Sequence, residues 1–305
     1  MTPDADLMIL GAGPAGLAAA QYGARANLRV AVIEALSVGG QALHIDRLEN
    51  YPGLAPVSGQ EFALAMRRQA EDLGAVFIME KAGSLEKDGG IFTAALASGR
   101  SLTARSAVAA TGAKHRALGV PGEERLAGSG VSYCAACDGP FFRNKRVFVV
   151  GGGDAACDEA RFLSRLCAEV VLIHRRGALR AQKALASRIQ GSPRIETRFH
   201  TRLRGIQGES AVRSLVLERL DTGERYEEDA DGVFICVGIT PQTAGLPRLS
   251  LDGEGYILTD QAMATSLAGL FAAGDVRSCP FRQAVVAAAE GAVAAHSAAS
   301  YIACG

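Results

Sequence analysis

The sequence predicts an α/β fold built twice, with the second copy inserted in the first. Three observations lead there. An apolar strand, a glycine-rich turn and a helix follow one another over residues 7–26, and again over 147–167. In each copy a second apolar strand follows, at 30–33 and 170–173, and a polar residue closes it 23 positions after the turn's first glycine (34 − 11 and 174 − 151). Each copy also has an exit strand that runs into a glycine, at 108–113 and 234–241. Strands alternating with helices over such short spans make parallel sheets.

Size and composition agree with this reading. A length of 305 residues suits about two domains, and a hydrophobic content of 49% suffices for their cores. Lys and Arg number 32 against 32 Asp and Glu, so no net field draws the chain to nucleic acid or an anionic membrane. The 36 glycines suit folds in which backbone approaches a ligand closely. The N-terminus lacks the basic and apolar regions of a signal peptide. The Ala-rich stretch 284–303 contains Glu290 and His296, so it reads as a buried helix rather than a membrane span. A cytoplasmic location, no membrane and no nucleic-acid partner are the expectations.

The first copy opens with Leu7-Met8-Ile9-Leu10 and turns through Gly11-Ala12-Gly13-Pro14-Ala15-Gly16 into a helix at about 17–26. Val30 to Ile33 form the next strand, and Glu34 ends it. Glycines there permit a tight turn and close approach of backbone N–H groups to a pyrophosphate, and the helix N-terminus favours negative charge. An acid at the strand end accepts hydrogen bonds from a ribose. This copy therefore suits the adenosine half of FAD.

The second copy repeats the plan with Val147 to Val150, the turn Gly151-Gly152-Gly153-Asp154-Ala155-Ala156, a helix over 157–167 and a strand ending at His174. Where the first copy has Glu34, this one has His174-Arg175-Arg176, with Arg180 close behind. An acid would repel a 2′-phosphate, whereas arginines bind it by charge-assisted hydrogen bonds. The pattern suits NADPH over NADH; the plainer alternative is a solvated charge run. Crossings near 111–117 and 238–245 divide the chain into 1–114 plus 245–305, for FAD, and an inserted 115–244, for NADPH. The stretches 75–107 and 195–230 alternate in polarity and read as small antiparallel additions.

Cys134-Ala135-Ala136-Cys137-Asp138-Gly139 lies in the inserted part. Two cysteines three positions apart can close a small redox disulfide, and Asp138 is a candidate proton donor. Seven cysteines in all, with one CxxC, favour a redox role over a disulfide framework, and no second CxxC or His-rich partner completes a metal site. Cys157 and Cys167, about 15 Å apart on one predicted helix, read as small apolar fillers. After residue 245 the chain returns to the first domain. Its strand Gly269 to Ala273 ends at Gly274-Asp275, and Arg282-Gln283-Ala284 opens the last helix. Asp275 is placed for a ribityl hydroxyl or a phosphate-linked water; a turn with helix cap is the alternative.

Taken together, these motifs resemble the low-molecular-weight, bacterial-type thioredoxin reductases. The resemblance is carried by the Gly11 turn, Gly39-Gly40-Gln41, Glu49-Asn50-Tyr51-Pro52-Gly53, Ala110-Thr111-Gly112, Gly130 through Gly139, the Gly151 turn with Glu159, His174-Arg175-Arg176, and Gly274-Asp275 with Arg282-Gln283-Ala284. They stand in the family's order over nearly the whole chain. The resemblance implies a homodimer with one FAD per subunit. Gly39, Gly40, Gln41, Asn50, Thr111, Gly112, Gly274, Asp275, Arg282, Gln283 and Ala284 would add to the flavin site. Gly152, Gly153, Asp154, Ala155, Ala156, Glu159 and Gly238 would join the arginines at the nicotinamide nucleotide. Cys137 would receive electrons from the flavin, Cys134 would attack the disulfide of thioredoxin, and Asp138 would protonate the leaving thiolate. The inserted domain would rotate on its linkers to present nicotinamide and disulfide in turn, with Gly112 and Gly238 as hinges.

One departure concerns the partner. Ser129 stands where some relatives carry a basic residue for docking thioredoxin, while Phe141-Phe142 is present either as an apolar docking patch or as ordinary core. Other readings keep part of the pattern. A dithiol oxidase passing electrons to oxygen tends to lose nicotinamide-site residues, which Arg175, Arg176 and Arg180 argue against. A flavin-dependent reductase of a glutaredoxin-like protein or peroxidase keeps every motif. A redox-sensing module without turnover leaves the pairing of cysteines with Asp138 unexplained.

Overall fold

The computed structural model describes residues 2–45 and 48–304. Two compact units emerge, one of Met1–Lys114 with Thr240–Gly305, the other of His115–Ile239. In chain order the first unit begins with β1 (Ala5–Leu10), α1 (Pro14–Arg25), β2 (Val30–Ile33), α2 (Gly59–Glu71), β3 (Val76–Ile78), β4 (Ala82–Asp88), β5 (Ile91–Leu96) and β6 (Ser101–Ala109). Strand β7 (Ala113–His115) leads out of it. The second unit holds β8 (Val131–Ser132), α3 (Ala135–Asp138), β9 (Arg146–Gly151), α4 (Asp154–Leu163), β10 (Glu169–Ile173), α5 (Lys183–Gln190), β11 (Ile195–Arg198), β12 (Thr201–Gln207), β13 (Ser214–Arg219), β14 (Arg225–Asp229) and β15 (Gly232–Cys236). Strand β16 (Ile239–Pro241) leads back to β17 (Leu270–Ala272) and α6 (Ala284–Cys304).

The repeat read from the sequence is a repeat in space. In the first unit the order β3-β2-β1-β6 is parallel throughout, with Leu10 facing Ile33 on one side and Ala109 on the other. In the second the order β11-β10-β9-β15 is also parallel, with Val150 between Ile173 and Ile235. Both central strands are apolar on both faces, as a sheet covered on two sides requires. The antiparallel additions begin later than predicted. Val76–Ile78 and Ile195–Arg198 are parallel members of the main sheets, and the antiparallel parts are β4–β5–β6 and the separate sheet β12–β13–β14.

Local chemistry explains the remaining differences. The helix expected over 157–167 stops at Leu163, where Ser164 caps it and turns its hydroxyl onto the Arg161 carbonyl, so Cys167 stands beyond the helix. Both exit strands break early because a glycine with positive φ interrupts them, Gly112 at 69° and Gly238 at 115°. The segments past those glycines, β7 and β16, pair as a two-stranded sheet. The last helix packs along α1 closely enough that a Cβ on Gly291 would overlap the Ala15 carbonyl. Among the described residues no helix is long and apolar enough to cross a membrane.

Candidate active site

The first unit builds a cradle around the N-terminus of α1. Pro14 takes the first helical position, where a missing N–H costs nothing. Gly11 adopts φ 100°, and a Cβ there would press on the carbonyl of Ala110, while a Cβ on Gly16 would press on that of Gly11. Gly13, by contrast, faces open space. The turn is thus packed shut from behind and open in front, where a phosphate can reach its backbone. The Glu34 carboxylate accepts N–H groups from Ala12 (2.9 Å) and Leu36 (2.9 Å), so it lies at the mouth of that turn. Gly39 donates to the Ala12 carbonyl at 2.8 Å, and Gly40 packs on Gly13.

Other predicted flavin residues gather by contacts within the same unit. Gln41 donates to the Ala113 carbonyl. Thr111 and Gln242 exchange side-chain to backbone hydrogen bonds at 2.6 and 2.7 Å. Asn50 donates to Gln283 at 3.0 Å, joining two segments far apart in sequence. Gly274 has φ 76° and lies against Ala15, with its N–H on the buried Glu290, which also pairs with Arg277. Burial pushes the Asp275 carboxyl up, Arg282 opposing this. The Arg282 guanidinium lies over the Tyr256 ring at 4.3 Å, and its buried Nε finds no hydrogen-bond partner among the described residues. An open glycine turn and an arginine whose buried Nε is left without a hydrogen bond fit an anionic dinucleotide.

The second unit repeats the cradle. Gly151 is closed in by Cys236 and Ala156, and Gly153 faces open space. Gly152 has no room for a Cβ because the His174 ring lies over it. Asp154 opens α4 and accepts the N–H of Gln182 at 2.8 Å, and the N–H of Arg180 reaches the Gly152 carbonyl at 2.6 Å. These contacts bring the 174–182 segment beside the turn, with Arg175, Arg176 and Arg180 exposed. His174 is only 6% exposed. Burial, with the three arginines beside it, holds its pKa below the ordinary histidine range, and its Nε2 has no partner among the described residues. It therefore offers a neutral ring edge, and the arginines supply the positive charge.

Cys134 and Cys137 form a disulfide with Cα atoms 5.3 Å apart, at the start of the one-turn helix α3. The N–H of Cys137 points to the sulfur of Cys134 at 3.2 Å. Asp138 accepts a hydrogen bond from Ser132 Oγ at 2.6 Å, and the same oxygen takes the N–H of Cys134 at 3.1 Å. Ser132 thus ties the proposed acid to the first cysteine, a role the sequence reading missed; Ser132-x-Cys134 was the only signal available. Also missed was Glu123, 3% exposed. It accepts the N–H groups of Leu118, Gly119 and Val120 and the hydroxyl of Tyr133, the residue before Cys134. Glu159 accepts the N–H of Ala135 and the thiol of Cys236. The two phenylalanines divide: Phe142 is buried edge-on to Phe234, and Phe141 is 38% exposed.

Residues 5–291 match the family described as pyridine nucleotide-disulphide oxidoreductase. The chain is 52% identical over 303 residues to a thioredoxin reductase of Treponema pallidum, covering 99% of this chain and 98% of that one. It is 41% identical over 305 residues to a thioredoxin reductase of Peptoclostridium acidaminophilum, covering 97% and 96%. The solved structure of a thioredoxin reductase from Streptococcus pyogenes, 40% identical, matches with a TM-score of 0.94 over 99% of each chain.

Proposed function

Because the chain belongs to the pyridine nucleotide-disulphide oxidoreductases, and within them to the thioredoxin reductases, we propose that it reduces the disulfide of oxidised thioredoxin with NADPH. The observation that carries this reading is the closed Cys134–Cys137 pair, with Asp138 tied to it through Ser132, in the unit that holds the arginine-flanked glycine turn. When bound, FAD supplies a two-electron carrier between a nicotinamide hydride and that disulfide.

Each residue then has a task. The turn at Gly11 to Gly16 holds the flavin pyrophosphate, Glu34 the adenosine ribose, and Asp275 with Arg282, Gln283 and Ala284 the flavin end. The turn at Gly151 to Ala156 holds the nicotinamide nucleotide, and Arg175, Arg176 and Arg180 its 2′-phosphate. The flavin unit is 1–114 with the returning segment, and we take the second crossing at Ile239/Thr240, where the compact units divide, in place of 244/245. Reduced Cys134 attacks the partner's disulfide as thiolate, and Cys137 then displaces the partner from the mixed disulfide. Asp138 delivers the proton that the departing thiolate needs. Phe141 offers the partner an exposed apolar contact. A homodimer in the cytoplasm completes the reading.

Trapping tests the division of labour. With Cys137→Ser, Cys134 should hold thioredoxin as a stable mixed disulfide, visible as a mass increase under non-reducing conditions. With Cys134→Ser, that adduct should be absent or much weaker. The reverse pattern would exchange the two roles, and no adduct from either variant would remove thioredoxin as the substrate.

A further inference from the structure

Five cysteines lie outside the redox pair. Cys157 and Cys167 are buried in the core beneath α4, and the thiol of Cys279 turns to the Phe281 carbonyl. Cys236 differs. It ends β15, and its thiol donates to Glu159 Oε2 at 2.7 Å. The Glu159 carboxylate in turn accepts the backbone N–H of Ala135, the residue that follows Cys134. Three elements, β15, α4 and α3, therefore meet on one carboxylate, all inside the second unit. We propose that Cys236 is a positioning residue for the redox pair: its S–H holds the Glu159 carboxylate on the first turn of α3, as a second acid beside Asp138. The proposal rests on the reading of Cys134 and Cys137 as the exchanging pair.

Opposed effects act on Glu159. Burial, helped by the charge of Asp138, holds its carboxyl above the ordinary carboxylate range, and the donors from Cys236 and Ala135 oppose this by favouring the ionised form. The ionised carboxylate thus depends on its two hydrogen bonds. Burial and the neighbouring Glu159 hold the Cys236 thiol well above the ordinary cysteine range, so it stays protonated and keeps donating. A protonated thiol is a poor nucleophile, so Cys236 does not compete in exchange. The titratable groups acting on Glu159 are Asp138 from α3 and Cys236 from β15. When ionised, the Glu159 carboxylate, held against the N–H of Ala135 next to Cys134, makes a thiolate at Cys134 harder to form. Removing that charge, or the donor that sustains it, should make the reduced pair ionise more readily.

The test compares wild type with E159Q, C236A and C236S. Each protein is reduced with dithiothreitol, freed of it, and alkylated with iodoacetamide between about pH 5 and about pH 9, bracketing thiol ionisation. Modification at Cys134 and Cys137 is read by peptide mass. Glutamine keeps an acceptor for the Ala135 N–H but carries no charge. E159Q should therefore shift the Cys134 profile down by about half a pH unit, a roughly threefold faster reaction at neutral pH. C236A should shift it the same way by less, and C236S, which restores a donor, should return it to wild type. Flavin absorbance and melting temperature verify that each variant is folded. An E159Q profile superimposed on wild type overturns the proposal, and so does a C236S profile that follows C236A. Chemical reduction keeps this result independent of electron delivery from NADPH, whose failure would count against the proposed function instead.

Discussion

Asp138 shows how much a single side chain is asked to do. It sits one position past Cys137, bonded to Ser132, whose hydroxyl oxygen also takes the N–H of Cys134. Proton delivery by a positioned acid typically contributes 10²-fold or more. Asp138→Asn should therefore lower thioredoxin-dependent turnover by about 10², while the rate at which NADPH reduces the protein stays near that of wild type. Equal turnover in the two proteins would remove Asp138 as the proton source. Asp138 was legible because it adjoins the CxxC. Ser132 and Glu123 were not, because a serine two positions before a cysteine and an acid in a loop carry no signal of their own until the hydrogen bonds to Asp138, Cys134 and Tyr133 are seen. His174 was legible by register but not in its titration: only burial beside three arginines holds its pKa below the ordinary histidine range.

The two glycine turns set the scale of the element. Each has a glycine sealed against the exit of its own sheet and another open to a ligand, Gly11 and Gly13 in one, Gly151 and Gly153 in the other. Gly152 adds a feature specific to the second copy, since the His174 ring occupies the space a side chain would need. Gly152→Ala must displace that ring and, with it, the arginine segment that follows. Steady-state kinetics should show a KM for NADPH raised about tenfold, the cost of about one hydrogen bond, with flavin content unchanged. A parallel loss of flavin would mean that the substitution unfolds more than the second turn. Strand, turn and strand register were readable here because the 23-residue spacing and the glycines are local. The helix α2 was not read, although Ser58 and Glu61 form a capping box that marks its start. The break at Leu163 depends on how Ser164 bonds, which composition does not show.

At the scale of the whole molecule, one plan is used twice, and the chain passes out of the first unit and back through two strands that pair with each other. The repeat was visible in the sequence because both copies keep the same order and spacing. The assignment of Val76–Ile78 and Ile195–Arg198 to the parallel sheets was not, because three or four residues carry too little pattern to tell a central sheet from an added one. Gly112 and Gly238 were expected as hinges, and both have backbone angles that other residues rarely adopt. The proposed reaction has one electron path, from NADPH to Cys134 and Cys137 and on to thioredoxin. The most direct test is anaerobic absorbance of the purified, flavin-loaded protein on addition of NADPH and then oxidised thioredoxin. The flavin band should bleach and then return, and the return should vanish in Cys134→Ser and in Cys137→Ser. A band that NADPH leaves unchanged, or one that recovers equally well without the cysteines, would contradict that path.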